Sequence, residues 1–97
     1  MEEFKIVKVM PYDNKTYIVV QDTTKDEYQY WYLEISSYEF NQYAKKHKLN
    51  QGYTKENAYA YINDINNDTE GTSVGSFNTL TECLDDIMCL VEDRYDY

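Results

Sequence analysis

Residues 16–35 (TYIVVQDTTKDEYQYWYLEI) contain two runs of β-favouring residues separated by a short polar segment. The runs, residues 16–23 and 28–35, are rich in β-branched and aromatic side chains, which pack well on a pleated surface. The polar residues 24–27 (TKDE) between them are typical of a turn. Because consecutive strands with a short connection pair antiparallel, this stretch predicts a β-hairpin.

A further strand precedes this hairpin. Residues 4–10 (FKIVKVM) are also rich in β-favouring side chains, although their alternation is imperfect at Val7 and Lys8. Residues 11–15 supply Pro, Asp and Asn, which favour a turn. The N-terminal part of the chain therefore predicts a three-stranded antiparallel meander, and residues 72–77 are a candidate for a fourth, short strand.

The apolar period becomes helical after the meander. Ser36 and Glu39 have the spacing of a capping box, in which two side chains satisfy free N–H groups at a helix start. Apolar side chains then recur at helical intervals over residues 40–47, and Gly52 lies just beyond that pattern. These signals predict a first helix.

Two later segments also carry helix signals. Residues 57–65 fit a helix capped by Thr54, but they also alternate as a strand would, and both interpretations stay open. Thr79 and Glu82 form another capping box and predict a helix over residues 80–93.

The order of these elements predicts an α+β fold, with a small antiparallel sheet and two to three helices packed on one face. The chain of 97 residues fits a single domain spanning residues 1–97. No apolar run is long enough to span a bilayer, and the first residues do not resemble a signal peptide. Because Cys83 and Cys89 would point apart on a helix, we expect a cytoplasmic protein without a disulfide.

The net charge of −9 is distributed unevenly. Residues 1–50 hold eight acids and seven Lys/Arg, for a net −1, whereas residues 51–97 hold ten acids and two Lys/Arg, for a net −8. An anionic half repels nucleic acids and anionic membranes and attracts basic surfaces. The sequence therefore predicts no direct nucleic-acid binding and no membrane binding.

The predicted last helix concentrates this charge on one side. Projected at about 100° per residue, its apolar side chains fall in one arc and its acids in the opposite one. The five acids of that arc are Glu82, Asp85, Asp86, Glu92 and Asp93. Like charges four residues apart cost a helix about 0.2–0.5 kcal/mol per pair, and no lysine is placed to compensate.

Two interpretations of this acidic arc stay open. One is a solvated face that serves only solubility. The other is an anionic rod that imitates a row of phosphates and docks on a Lys/Arg surface of a protein. In the second interpretation Asp64, Asp68 and Glu70 assist the helix.

The 12 tyrosines suggest an alternative binding surface. Along residues 28–35, Trp31, Leu33 and Ile35 form the better core-facing set, and three tyrosines alternate with them. These are Tyr28, Tyr30 and Tyr32, and Tyr17 of the preceding strand can lie beside them. Because tyrosine is enriched at binding surfaces, this face is a candidate for a nucleotide, a small molecule or a homodimer contact. Helices that cover the tyrosines are the other interpretation.

No recognisable set of residues points to catalysis, a metal ion or a cofactor. His47 is the single histidine, and it lies among lysines near a predicted helix end. Residues 64–68 (DINND) resemble the start of a calcium loop, but Thr69 and Gly75 stand where glycine and glutamate are needed. We therefore expect a protein that is not an enzyme and that holds neither metal nor cofactor.

The sequence as a whole predicts a small, non-catalytic, acidic binding protein. A short, acidic, histidine-poor chain rich in Tyr, Asn and Lys resembles the small accessory proteins of phages and mobile elements of low-GC bacteria. Several of those block host nucleases or other nucleic-acid-handling proteins by occupying a cationic cleft. The resemblance implies a DNA-mimicking, anti-defence inhibitor of a nuclease or other nucleic-acid-binding host protein. A structural or assembly subunit is a further alternative.

Overall fold

A computed structural model of the protein describes residues 4–63 and 72–95, which form a four-stranded antiparallel sheet and three helices. The strands are β1 (Phe4–Tyr12), β2 (Lys15–Asp22), β3 (Tyr30–Ser36) and β4 (Thr72–Phe77), in that order across the sheet. The helices are α1 (Ser37–Lys46), α2 (Lys55–Asn63) and α3 (Leu80–Tyr95). The α+β class, the N-terminal meander and the fourth strand near residues 72–77 are confirmed.

Both faces of the sheet carry helices, and the prediction that all helices pack on one face is wrong. On one face, α1 and α2 pack on side chains that include Ile18 and Val20. On the other face, α3 packs on side chains that include Tyr17 and Val19. All four of these consecutive β2 side chains are fully buried. A strand that is apolar on both sides is typically covered on both sides, so the run TYIVV already carried this signal.

A bulge in β1 accounts for its imperfect alternation. The register with β2 shifts between Ile6 and Lys8, which makes Val7 the extra residue. The extra residue reverses the alternation. As a result Ile6 and Val9 pack on the α1–α2 side, whereas Val7 and Met10 pack on the α3 side.

Each helix begins at a side-chain oxygen that accepts a hydrogen bond from a backbone N–H group. The pairs are Ser36 Oγ with Glu39 N at 3.4 Å, Thr54 Oγ1 with Asn57 N at 3.1 Å, and Thr79 Oγ1 with Glu82 N at 3.2 Å. The three predicted caps are therefore confirmed. The cap at Thr54 starts a helix over Lys55–Asn63, so the strand interpretation of this segment is wrong.

Gly75 allows β4 to approach β3 closely. A Cβ atom at this position would collide with Cα and Cβ of Trp31, on the paired strand. Because Cα is a backbone atom in the middle of the sheet, the collision cannot be relieved by rotating a side chain.

We predict that Gly75→Ala lowers the free energy of unfolding by about 1–3 kcal/mol, the usual cost of forcing extra atoms into a packed site. Urea unfolding followed by circular dichroism measures the change. Ser76→Ala is the matched control, since Ser76 is exposed on the same strand and should leave the unfolding midpoint nearly unchanged. An unaltered midpoint for Gly75→Ala would show that β4 does not approach β3 in this way.

Candidate binding face on the last helix

The inner side of α3 is held against the sheet by apolar side chains. Cys83, Ile87 and Val91 are buried and pack with Tyr17 and Tyr32. Leu80 and Leu84 add half-buried contacts at the border of the same cluster. This side of α3 agrees with the apolar arc projected from the sequence, and its burial determines which side of the helix remains outside.

Polar contacts tie α3 to the sheet at two further points. The Tyr32 hydroxyl donates a hydrogen bond to Asp86 Oδ2 at 2.6 Å. The Tyr12 hydroxyl donates to Met88 Sδ at 3.5 Å, a weaker contact because thioether sulfur is a poor acceptor. The bond to a carboxylate is the stronger of the two, since charge-assisted hydrogen bonds are short and strong.

We name the outward side of α3 the acidic face, formed by Glu82, Asp85, Asp86 and Glu92. Glu82, Asp85 and Glu92 are exposed, whereas Asp86 is half-buried beside Tyr32. Glu82 also accepts a hydrogen bond from the Thr79 hydroxyl at 3.2 Å, in addition to the cap bond that its own N–H donates to Thr79 Oγ1. Glu82 thus helps to cap the helix and Asp86 helps to hold it on the sheet. Neither of these tasks is assigned to Asp85 or Glu92 by the described contacts.

The carboxylates of the acidic face have no cationic partner among the described side chains. The ion pair that the described residues form is Lys25 with Asp22, at 4.0 Å in the β2–β3 connection, on another part of the molecule. Because like charges four residues apart on a helix repel one another, Glu82 and Asp86 carry a repulsion that no described cation offsets.

The remaining acids predicted for this surface are not described by the structure. Asp64, Asp68 and Glu70 lie outside the described residues. Asp93 belongs to α3, but its side chain lies outside the described part of the chain. The acidic face is therefore defined by the four described acids alone.

The tyrosines predicted as an alternative binding surface do not form one open face. Tyr17 and Tyr32 are fully buried under α3, and Tyr30 is half-buried. Tyr28 is 54% exposed and precedes β3, so it does not share that strand with Tyr30 and Tyr32. For Tyr17 and Tyr32, the other interpretation, in which a helix covers the tyrosines, is the correct one.

The buried tyrosines form an aromatic layer beneath α3. The Tyr32 ring stacks on Phe77 with centroids 6.0 Å apart and meets Tyr17 edge-on at 5.8 Å. The Tyr17 hydroxyl donates a hydrogen bond to Glu34 Oε2 at 2.9 Å. Aromatic pairs in these geometries stabilise a core beyond their buried area, so the layer fixes the position of α3.

The pKa values of two ionisable groups in this layer are raised. Burial, followed by the hydrogen bond to Asp86, raises the pKa of the Tyr32 hydroxyl well above its ordinary value. Burial, with a smaller contribution from the charge of Asp86, raises the pKa of the Cys83 thiol to about 11. Both groups are held in their neutral forms, so neither supplies a nucleophile at neutral pH.

We find no catalytic or metal-binding group of side chains among the described residues. His47 is exposed at the end of α1, where its ring lies 4.3 Å from the Tyr43 ring. No group of three or more His, Cys, Asp or Glu side chains in residues 4–63 and 72–92 is arranged to hold a metal ion. None of the described helices is long and apolar enough to cross a membrane.

Sequence reasoning missed the structural role of Asp86. The helical projection places Asp86 with the other acids because it gives only the direction of a side chain. Its hydroxyl partner, Tyr32, lies 54 positions away in the chain, and no local pattern connects the two.

No protein-family model, curated protein or solved structure matches this chain. The acidic face therefore has to be interpreted from its own geometry and charge.

We predict that Tyr32→Phe lowers the free energy of unfolding by about 1.5–3 kcal/mol, since it removes a hydrogen bond to a carboxylate and keeps the ring. Tyr30→Phe, two residues away on the same strand face, is the control. A double-mutant cycle with Asp86→Ala in chemical denaturation isolates the pair. A coupling energy near zero would contradict the role assigned to this bond.

The raised pKa of the Cys83 thiol predicts that the protein loses stability in alkali. This pKa is about 9 when the thiol is exposed and about 11 in the folded protein, so the unfolded chain releases this proton first. The contribution of the protonated thiol to the free energy of unfolding is complete below pH 9. It is lost as the pH rises towards 11, at up to about 1.4 kcal/mol per pH unit.

Cys83→Ala tests this assignment because it removes the thiol and leaves other alkaline titrations, including Tyr32, in place. Denaturation curves of both proteins are measured between pH 7 and about 11. The two pH profiles should be parallel below pH 9, and that of the natural protein should fall more steeply above it. Profiles that remain parallel throughout would contradict the assignment.

Proposed function

We propose that this chain is a non-catalytic binding protein whose acidic face occupies a basic surface of another protein. The observation that supports this proposal most directly is the exposure of Glu82, Asp85 and Glu92 on one side of a helix, with no cationic group of the described residues within 4.0 Å. A Lys/Arg surface would relieve the repulsion among these carboxylates.

The mounting of α3 makes the acidic face a preformed surface. The helix is held by the buried side chains of Cys83, Ile87 and Val91 and by the hydrogen bond between Tyr32 and Asp86. A surface that is already ordered loses less conformational entropy when a partner docks on it. Complementary charge then accelerates encounter and favours basic partners over neutral or acidic ones.

The partner class in this proposal is a protein that itself binds nucleic acid. From Glu82 to Glu92 the acidic face spans about 15 Å, at 1.5 Å of helix rise per residue. That length of duplex exposes several phosphates, which basic grooves bind through Lys and Arg. The chain would therefore compete with DNA or RNA for a groove, as an anti-defence inhibitor of a nuclease in the host cytoplasm would.

The two rival functions have less support among the described residues. A nucleotide-binding tyrosine face needs accessible rings, and Tyr17 and Tyr32 lie beneath α3. An assembly subunit that lacks a target of its own would use the acidic face only for contacts between copies of this chain.

The test is charge reversal on the acidic face without disturbing its mounting. Asp85→Lys with Glu92→Lys changes two exposed acids and leaves intact both Asp86 and the hydrogen bonds between Thr79 and Glu82. Asp26→Lys with Glu27→Lys makes the same change in net charge at exposed positions of the β2–β3 connection, and is the matched control.

The immobilised natural protein should capture basic nucleic-acid-binding proteins from a nuclease-treated lysate of a low-GC bacterium, and both salt and added DNA should release them. Against one purified captured protein, the α3 variant should lose about tenfold or more in affinity, measured by titration calorimetry. The control should retain it. Equal affinity of the natural protein and the α3 variant would refute the proposed binding face.

A further inference from the structure

The helices on the two faces of the sheet differ in charge. The α1–α2 layer (residues 37–63) carries four lysines and two acids, Glu39 and Glu56, whereas the described side chains of α3 carry four acids and no lysine. Residues 40–55 contain four lysines and no Asp or Glu. Lys45, Lys46, Lys48 and Lys55 are all exposed, and they lie on α1, on α2 and between them, on the sheet face opposite α3. We name residues 45–55 the lysine segment. The molecule therefore presents a basic surface on one side and the acidic face on the other.

The lysine segment is ordered by its own contacts. The Asn57 side-chain amide donates hydrogen bonds to the carbonyl oxygens of Asn50 and Gly52, at 2.6 and 3.0 Å. The Leu49 N–H donates to the Ala44 carbonyl at 2.8 Å, which folds the chain back at the end of α1. These bonds order the connection between the end of α1 and the start of α2, so the backbone that carries the four lysines is fixed.

Within one copy, the two charged surfaces lie on opposite sides of the sheet. None of the four lysines forms an ion pair with another described residue. In about 0.1 M salt, charges separated by more than about 10 Å are largely screened. The repulsion between the distant charges of two copies, each with a net −9, is then reduced, whereas opposite charges on touching surfaces still attract.

We propose that copies of this chain stack head to tail, with the lysine segment of one copy docked on the acidic face of the next. The occupant of each surface is a second copy because the chain itself presents both complementary charges on opposite sides. This inference rests on the premise of the proposed function that the acidic face docks on basic surfaces. Docking between two different surfaces gives a head-to-tail series rather than a symmetric dimer, and the series stays open unless its rotation closes a ring.

Sedimentation equilibrium tests the stacking. In about 0.1 M salt, the weight-average mass of the natural protein should rise with concentration through dimers and larger species. In about 0.5 M salt it should return to the monomer mass, since exposed ion pairs are weak and screened. A mass that stays monomeric at about 1 mM protein, or that stops at a closed dimer, overturns the proposal.

Charge reversal then identifies the surfaces. The first variant carries Lys45→Glu, Lys46→Glu and Lys55→Glu, and the second carries Asp85→Lys and Glu92→Lys. Each alone should remain monomeric, and a mixture of the two should associate again, because each then offers the charge that the other lacks. A mixture that stays monomeric, while the natural protein associates, overturns the proposal.

A matched control separates local charge from net charge. Lys5→Glu, Lys8→Glu and Lys25→Glu change the net charge as the first variant does, at exposed lysines outside the lysine segment. This control should still self-associate, and its failure to do so overturns the assignment of the surfaces. Lys→Gln versions of the first variant serve if the reversed chain does not fold by circular dichroism.

Failure of the stacking proposal can be told apart from failure of the proposed function. If the natural protein is monomeric but loses its host partner when Asp85 and Glu92 are reversed, stacking fails and the proposed function stands. If the same reversal abolishes stacking and leaves partner capture unchanged, the proposed function fails and stacking stands.

Discussion

Burial of β2 from both sides is the constraint on which the rest of this structure depends. Tyr17, Ile18, Val19 and Val20 alternate between the two faces of the sheet, and each is withdrawn from water. Burying a side chain of this size stabilises a fold by about 1.5–3 kcal/mol, so leaving either face open would expose several such groups. Helices must therefore lie on both faces, and a three-layered molecule follows from one strand.

The three-layered arrangement also gives the two faces different characters. The α1–α2 layer rests on aliphatic and aromatic side chains and is closed by the hydrogen bonds of Asn57. The α3 layer rests on tyrosines whose hydroxyl groups need partners, and Asp86 accepts from Tyr32. One acid of α3 is thus used to mount the helix, while Asp85 and Glu92 remain exposed on its outer side.

The proposed functions follow from this separation of charge. An acidic helix surrounded by lysines of its own chain would be neutralised internally and would have little to offer a basic partner. Here the lysine segment lies across the sheet from the acidic face, and the described residues place no cation within 4.0 Å of it. In the two proposals the acidic face therefore binds a basic host protein or the lysine segment of a further copy, and the lysine segment binds the acidic face of a further copy.

The sequence by itself determined the features that depend on neighbouring residues. The strands, the capping residues Ser36, Thr54 and Thr79, and the amphipathic α3 could all be predicted, because backbone preference and side-chain periodicity act over a few positions. Only the tertiary structure decided which sheet face each helix covers and that Tyr32 reaches Asp86 across 54 positions. It also decided that the lysine segment and the acidic face lie on opposite sides of the sheet. Those outcomes depend on contacts between distant segments, and a local period shows that a helix has a buried side without showing what buries it.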